Sequence, residues 1–200
     1  MFWNKVAAFY DFFEKLINRK CYNMLGERVA EFIEPTDKVL ECACGTGAIS
    51  YSLCKYSYAL TATDFSVNML KQAKRKCRKF SNVRFQQSNI LNLKYKNGAF
   101  DKIVAGKVIH LLDEPQKALT DLERVCRKGG KIIIPTYVNI SNSGKYNFLI
   151  KLIEFIGLNF KHQFTLESYK KFFEDLGYDN VNYSVIDGRM PCVIAVITNN

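Results

Sequence analysis

Seven consecutive residues, Glu41-Cys42-Ala43-Cys44-Gly45-Thr46-Gly47, carry the strongest chemical signal in this 200-residue chain. Val39 and Leu40 before them suit a buried strand following the turn-like Glu34-Pro35-Thr36-Asp37, and Ala48, Ile49, Leu53 and Cys54 after them keep helical spacing. Gly45 and Gly47 permit backbone conformations and a close ligand approach that a Cβ would obstruct. A helix beginning just beyond such a turn points unsatisfied N–H groups and its positive dipole end outward, which favours a carboxylate or phosphate. The expected guest is therefore a polar, partly anionic small molecule. Cys42 and Cys44 raise a second chemistry, metal or thiol binding. They stand two residues apart with no second Cys or His pair at zinc spacing, so no metal site is predicted. A soft, thiophilic ligand would need a further exposed cysteine nearby. Pro191-Cys192 falls in the last strand, where a buried cysteine is the expected state.

The elements that position this turn follow from hydrophobic periodicity. Phe2, Trp3, Val6, Phe9, Tyr10, Phe12, Phe13, Leu16 and Ile17 recur at three- and four-residue intervals and predict an amphipathic helix, with a second helical run from Cys21 to Phe32. Strands are predicted at Val39–Leu40, Tyr58–Thr63, Asn82–Gln87, Phe100–Ala105 and Lys131–Tyr137. Helices lie between them: one after Gly47, one capped by Ser66 with Leu70, Ala73 and Cys77 inside, and one from Pro115 that Gly129-Gly130 stops. The stretch 139–163 breaks the rhythm, with Phe148, Leu149, Leu152, Ile153, Phe155 and Ile156 forming a broad apolar run that reads as a lid. A helix from Thr165 follows, then strands Asn180–Ile186 and Pro191–Thr198 joined through Asp187-Gly188, a hairpin signal. Alternating strands and helices predict an α/β, Rossmann-like three-layer sandwich. Its seven-stranded sheet is mostly parallel, with an antiparallel last strand. The expected organisation is a single domain over 1–200, with a helical cap at 1–34, a core at 35–136, the lid at 139–163, and the last helix and hairpin at 165–200.

Composition narrows the class further. Hydrophobic residues at 48% and charged residues at 24% are ordinary globular usage. The run Phe148 to Phe160 is too short for a membrane span and contains Lys151 and Glu154. Lys5, Asp11, Glu14 and Lys15 interrupt any signal-peptide core, so a cytoplasmic location is expected. The seven cysteines lack framework spacing and are expected to be free thiols. The formal net charge of +10 raises nucleic acid or an anionic membrane as partners. Its densest patch, Lys71, Lys74, Arg75, Lys76, Arg78 and Lys79, reads instead as the solvent face of one helix.

Three nucleotide-type ligands compete for the glycine turn. A Walker-type phosphate loop needs a Gly-Lys-Ser/Thr ending that is missing here, and a dinucleotide fold needs a third glycine where Ile49 and Ser50 stand. The third candidate rests on four ordered segments: Glu41 to Gly47, Asp64-Phe65-Ser66-Val67-Asn68-Met69-Leu70, Phe100-Asp101-Lys102-Ile103-Val104, and Arg127-Lys128-Gly129-Gly130. Together they closely resemble class I S-adenosylmethionine-dependent methyltransferases, and the small quinone-biosynthesis (type 11) methyltransferases in particular. The resemblance covers residues 35 to 136. It implies S-adenosyl-L-methionine as cofactor, with the backbone of Ala43, Cys44, Gly45, Thr46 and Gly47 around its methionine part and Glu41 reaching the amino group. It places Asp64 on the ribose hydroxyls, Phe65 and Met69 beside the adenine, and Asn89, followed by Ile90, where the family often has Asp for the adenine amino group. Ala43 replaces the first glycine of the family motif. After the fourth strand the chain has only Gly106-Lys107-Val108-Ile109-His110 in place of a substrate-facing signature, which leaves the acceptor undefined.

Methyl transfer from a sulfonium needs little covalent help, because positioning and water exclusion do most of it. A general base matters only where the acceptor must lose a proton. His110 and Tyr10 are the candidates, with Asp11 and Tyr137 also on segments expected at the carboxyl edge of the sheet. The roof formed by the N-terminal helices and the lid is apolar, so a small hydrophobic or aromatic acceptor is expected. An RNA methyltransferase using the basic helix, and a non-catalytic cofactor-binding module, are the alternatives.

Overall fold

The computed structural model describes residues 2–139 and 161–200. The predicted lid run Phe148 to Ile156 lies outside the described residues. In chain order the elements are helices α1 (Phe2–Val6) and α2 (Tyr10–Ala30), strand β1 (Lys38–Cys42), α3 (Ala48–Tyr56), β2 (Ala59–Asp64), α4 (Val67–Lys76), β3 (Val83–Gln87) and β4 (Phe100–Ala105). A 3₁₀ turn at Ile109–Leu111, α5 (Pro115–Val125), β5 (Cys126–Tyr137), α6 (Leu166–Asp175), β6 (Val181–Ile186) and β7 (Cys192–Thr198) complete them.

The seven strands form one sheet in the order β3-β2-β1-β4-β5-β7-β6. The first five pair in parallel, and β7 runs antiparallel to both β5 and β6. The chain is thus the Rossmann-like α/β sandwich that the alternation of apolar runs predicts. Both faces are covered, so the central strands read as near-continuous apolar runs. Alternate residues supply two cores: Leu40, Ile103, Ile132 and Ile134 face the side of α5 and α6, while Val39, Val104 and Ile133 face the side of α2, α3 and α4.

One local expectation needs correction. Gly129-Gly130 does not end a helix, because α5 stops at Val125 and the chain is already extended from Cys126. The glycines serve a register shift opposite Phe100 and Lys102. Gly129 has φ +69°, and a Cβ on Gly130 would come within 2.6 Å of the Asp101 carbonyl oxygen. The hairpin expected through Asp187-Gly188 forms, with Ile186 paired to Cys192 and Asp187–Pro191 as the connection. The break expected between Ile17 and Cys21 is a kink at Asn18 (φ −144°, ψ 56°) within α2, and a further break separates α1, which ends at Val6, from α2. The Asn18 side chain, turned inward, donates to the Met190 carbonyl at 2.5 Å.

Other sequence signals are met in detail. Ser66 caps α4 by accepting from the Met69 N–H, and Leu70, Ala73 and Cys77 are its buried stripe. Thr165 and Ser168 form a reciprocal capping box on α6. All seven cysteines are free and buried. No helix among the described residues is long and apolar enough to cross a membrane.

Candidate active site

β1 pairs with β2 on one side and with β4 on the other, so the chain direction of the crossovers reverses between β1 and β4. In open α/β sheets, ligands bind in the crevice that such a reversal leaves at the carboxyl ends of the strands. A cavity of about 280 Å³ lies there.

The β1–α3 turn forms one wall. Ala43, Gly45 and Gly47 all adopt left-handed φ values, 54°, 55° and 80°. Two of the three are glycine, while Ala43 carries the strain that a Cβ brings in this region. A Cβ added to Gly45 would meet no protein atom within 4 Å, so the backbone here faces open cavity. Gly47 behaves differently and does not line the cavity. A Cβ there would lie 3.0 Å from the Ala73 Cα, so this glycine permits the close approach of α3 and α4.

Asp64, at the end of β2, accepts the Gly45 N–H through Oδ2 and the Ser66 N–H through Oδ1, both at 2.8 Å. It thereby ties the turn to the next strand while keeping further lone pairs on each oxygen. Burial raises its pKa, and the two N–H donors oppose that rise. Glu41 lies at the cavity floor, 1% exposed, and accepts from the Ser50 hydroxyl at 2.5 Å. Burial pushes its carboxyl up to about 8, so it is poised to ionise when a cation arrives. Phe65 stands 52% exposed at the rim, with its carbonyl held by Gln87 Nε2 at 2.9 Å, and Met69 is buried beneath. Ser88, Asn89 and Ile90, which follow β3, close this end.

The other end of the cavity is mostly apolar and comes from two sources. Gly106, Lys107, Val108, Leu111 and Leu112 follow β4, and Trp3 and Tyr10 belong to the N-terminal helices. Behind them lies a polar cluster of which sequence reasoning singled out only Tyr10 and Tyr137. Glu14 forms an ion pair with Lys107 and accepts from the hydroxyls of Tyr10 and Tyr137, each at 3.1 Å. Burial opposes the Lys107 charge, but the Glu14 carboxylate holds its pKa well above the ordinary value. Burial and the Glu14 charge raise the Tyr10 and Tyr137 hydroxyls, which stay neutral. Lys107 itself adopts φ 55°, a left-handed conformation uncommon outside glycine. Nearby, Asp11 accepts from the Thr46 hydroxyl and from Lys76 Nζ, the latter at 2.5 Å. Lys76 is therefore not on the solvent face of α4 as expected.

Of the sequence candidates, Glu41, Ala43, Cys44, Gly45, Thr46, Asp64, Phe65, Met69, Asn89, Ile90 and Tyr10 all line this one cavity. His110 does not. It is 3% exposed, its Nδ1 lies 2.8 Å from the Thr136 hydroxyl, and burial with the nearby Lys107 charge pushes it down to about 3. Its ring lies against Thr136 and does not line the cavity. Asp11 and Tyr137 also lie off the cavity and act on other side chains. Burial pushes the Cys42 thiol up to about 12 and that of Cys44 well above its ordinary value, so neither supplies a thiolate at neutral pH. Among the described residues no group of three or more His, Cys, Asp or Glu side chains converges on a metal-sized site. Tyr10 and the roof of N-terminal helices were the sequence cues to the apolar end, and Glu14 and Lys107 were the functional side chains not singled out.

Known proteins agree with this architecture. Residues 40–134 match the family described as "Methyltransferase domain". The ubiquinone/menaquinone biosynthesis C-methyltransferase UbiE of Bdellovibrio bacteriovorus is 32% identical over 154 residues, 73% of this chain and 66% of that protein. A phosphatidylethanolamine N-methyltransferase of Cereibacter sphaeroides is 33% identical over 100 residues, 48% of this chain and 49% of that protein. The chain thus spans between about half and two thirds of these relatives' own length. A Thermotoga maritima structure, titled a possible histamine N-methyltransferase, superposes with a TM-score of 0.74 at 18% identity, covering 99% of this chain and 100% of that one. The fold and the sequence match place the chain among the class I S-adenosylmethionine-dependent methyltransferases.

Proposed function

We propose that this chain transfers a methyl group from S-adenosylmethionine to a small apolar or aromatic acceptor. One observation carries the reading: a single cavity has a polar end built by Glu41, Gly45 and Asp64 and an apolar end built by Trp3, Val108, Leu111 and Leu112. When bound, S-adenosylmethionine supplies a methyl group already activated by its sulfonium. The protein's own residues have to bind, orient and exclude water. In this reading the turn from Ala43 to Thr46 presents its backbone to the methionine part, and Glu41 ionises against the amino group. Asp64 uses its remaining lone pairs on the ribose hydroxyls. Phe65, Met69, Asn89 and Ile90 border the adenine. At the apolar end, neutral Tyr10 orients the acceptor by hydrogen bonding, and Glu14 behind it is the group that can take a proton through the phenol. The name of the Bdellovibrio relative supports an aromatic, quinol-like acceptor.

The deciding experiment measures S-adenosylhomocysteine release across quinols, thiols, amines and RNA. Turnover confined to apolar aromatic acceptors is the expected result, and turnover with RNA alone would overturn the acceptor class. In titration calorimetry Asp64→Ala should weaken S-adenosylmethionine binding by about 1–3 kcal/mol, the cost of unmet hydrogen bonds. Unchanged affinity would remove Asp64 from the ribose.

A further inference from the structure

The first half of α2 turns its carboxylates inward and its large apolar side chains outward. Phe9, Phe12 and Leu16 are 64%, 65% and 63% exposed, with Phe13 at 37%. Their spacing of three and four residues sets them on one helical face. Single exposed apolar residues are ordinary, but a contiguous ridge within eight positions marks an interaction surface. The charges that accompany the ridge have one sign. Lys15, Arg19 and Lys20 are exposed. Asp11 and Glu14, the acidic residues of the same segment, are drawn into ion pairs with Lys76 and Lys107 instead. Lys5 of α1 and the exposed Lys71, Lys74 and Arg75 of the adjoining α4 extend the same sign.

We infer that α2 docks the protein onto an anionic membrane surface. It lies in the plane of the interface, with Phe9, Phe12, Phe13 and Leu16 at the acyl boundary and Lys15, Arg19 and Lys20 among the headgroups. Aromatic and aliphatic side chains on one face, with basic residues beside them, are the composition that such interfacial helices need. Long basic side chains reach the headgroups while their stems cover apolar surface. A second copy of this chain is a poorer occupant, because pairing two such faces brings like charges together. The docked helix pair is also the one that contributes Trp3 and Tyr10 to the cavity lining, so membrane and cavity share a wall.

Vesicle co-sedimentation of the full chain tests this without cofactor or acceptor, so its outcome is separable from that of the proposed reaction. The wild-type protein should sediment with phosphatidylcholine vesicles that contain phosphatidylglycerol, and binding should fall as salt rises. Phe12→Ser/Leu16→Ser should weaken binding at least about tenfold, since each side chain loses the burial that membrane insertion supplies. Lys15→Glu/Lys20→Glu should abolish the preference for phosphatidylglycerol. Circular dichroism and thermal melting of both variants should match the wild type, because the four side chains are exposed. Binding that is absent, or that both double variants leave unchanged, overturns the proposal. A dimer that Phe12→Ser/Leu16→Ser dissolves, without vesicle binding, assigns the ridge to a second copy and also overturns it.

Discussion

Helices α2 and α4 flank the same turn and are built in opposite senses. In α4 the arrangement is the usual one: Leu70 and Ala73 pack into the core while Lys71, Lys74 and Arg75 face solvent. In the first half of α2, Asp11 and Glu14 point in and Phe9, Phe12 and Leu16 point out. The difference follows from what lies beneath each helix. α4 lies on the apolar face of the sheet, against β2 and β3. The first half of α2 instead crosses the carboxyl ends of the strands, where Thr46 and Lys107 present a hydroxyl and an ammonium that only polar partners can satisfy. A helix's inner face is thus chosen by the surface under it and not by its own hydrophobicity.

The largest effect should come from breaking the inward polar face. Glu14→Ala leaves Lys107 buried without its counter-ion and removes the acceptor for two tyrosine hydroxyls, so it should cost about 3–5 kcal/mol in denaturant unfolding. Glu14→Gln, which still accepts from the phenols, should cost less. On α4, Leu70→Ala should cost about 3 kcal/mol by the ordinary loss of buried apolar volume. Equal costs for Glu14→Ala and Glu14→Gln would show that the charge alone, rather than packing or the phenol hydrogen bonds, holds α2 in place.

A third measurement concerns the cavity between the two helices. Glu41 ionises near 8 in the cofactor-free protein, so binding of a ligand ammonium should tighten by up to about tenfold per pH unit from pH 6 to 8 and then level off. Glu41→Gln should flatten that rise in calorimetry. Stability of the cofactor-free protein runs the other way. Unfolded Glu ionises near 4.5, so between that pH and 8 the folded state binds more protons at this site, and the Glu41 contribution falls as pH rises. Thermal melting of wild type against Glu41→Gln over that window isolates the effect. The smallest changes are expected on the two outer faces. Phe12→Ala and Lys74→Ala should each alter stability by no more than about 0.5 kcal/mol. A loss of several kcal/mol for Phe12→Ala would mean that this ring is buried after all and would erase the contrast between the helices.

What the sequence disclosed, and what it hid, divides along the same line. Strands such as Ile132-Ile133-Ile134 and caps such as Ser66 were readable because their signals are local, a β-branched run or a hydroxyl three residues before the donor it satisfies. The polar half of the cavity was readable because its turn is compact in sequence. At the acceptor end only Tyr10 and the N-terminal roof were readable. Glu14 and Lys107 are 93 residues apart, and nothing in either neighbourhood announces the other. Periodicity grouped Phe9, Phe12 and Leu16 on one face but held no information about which way that face turns. Gly129-Gly130 misled for a related reason: glycine punctuates helices, yet here it accommodates a shifted strand register whose partner, Phe100 to Lys102, is remote in the chain.

The position of β7 bears on how the protein comes to be assembled. It is the last strand in chain order, yet it sits between β5 and β6 and supplies the hydrogen-bonding partner for both. During synthesis β6 emerges with no neighbour to join, and the flank of β5 stays open until Cys192–Thr198 has been made. Completion of the sheet is therefore withheld until translation has passed that segment. A ribosome stalled before it leaves an exposed strand edge that invites association with other chains.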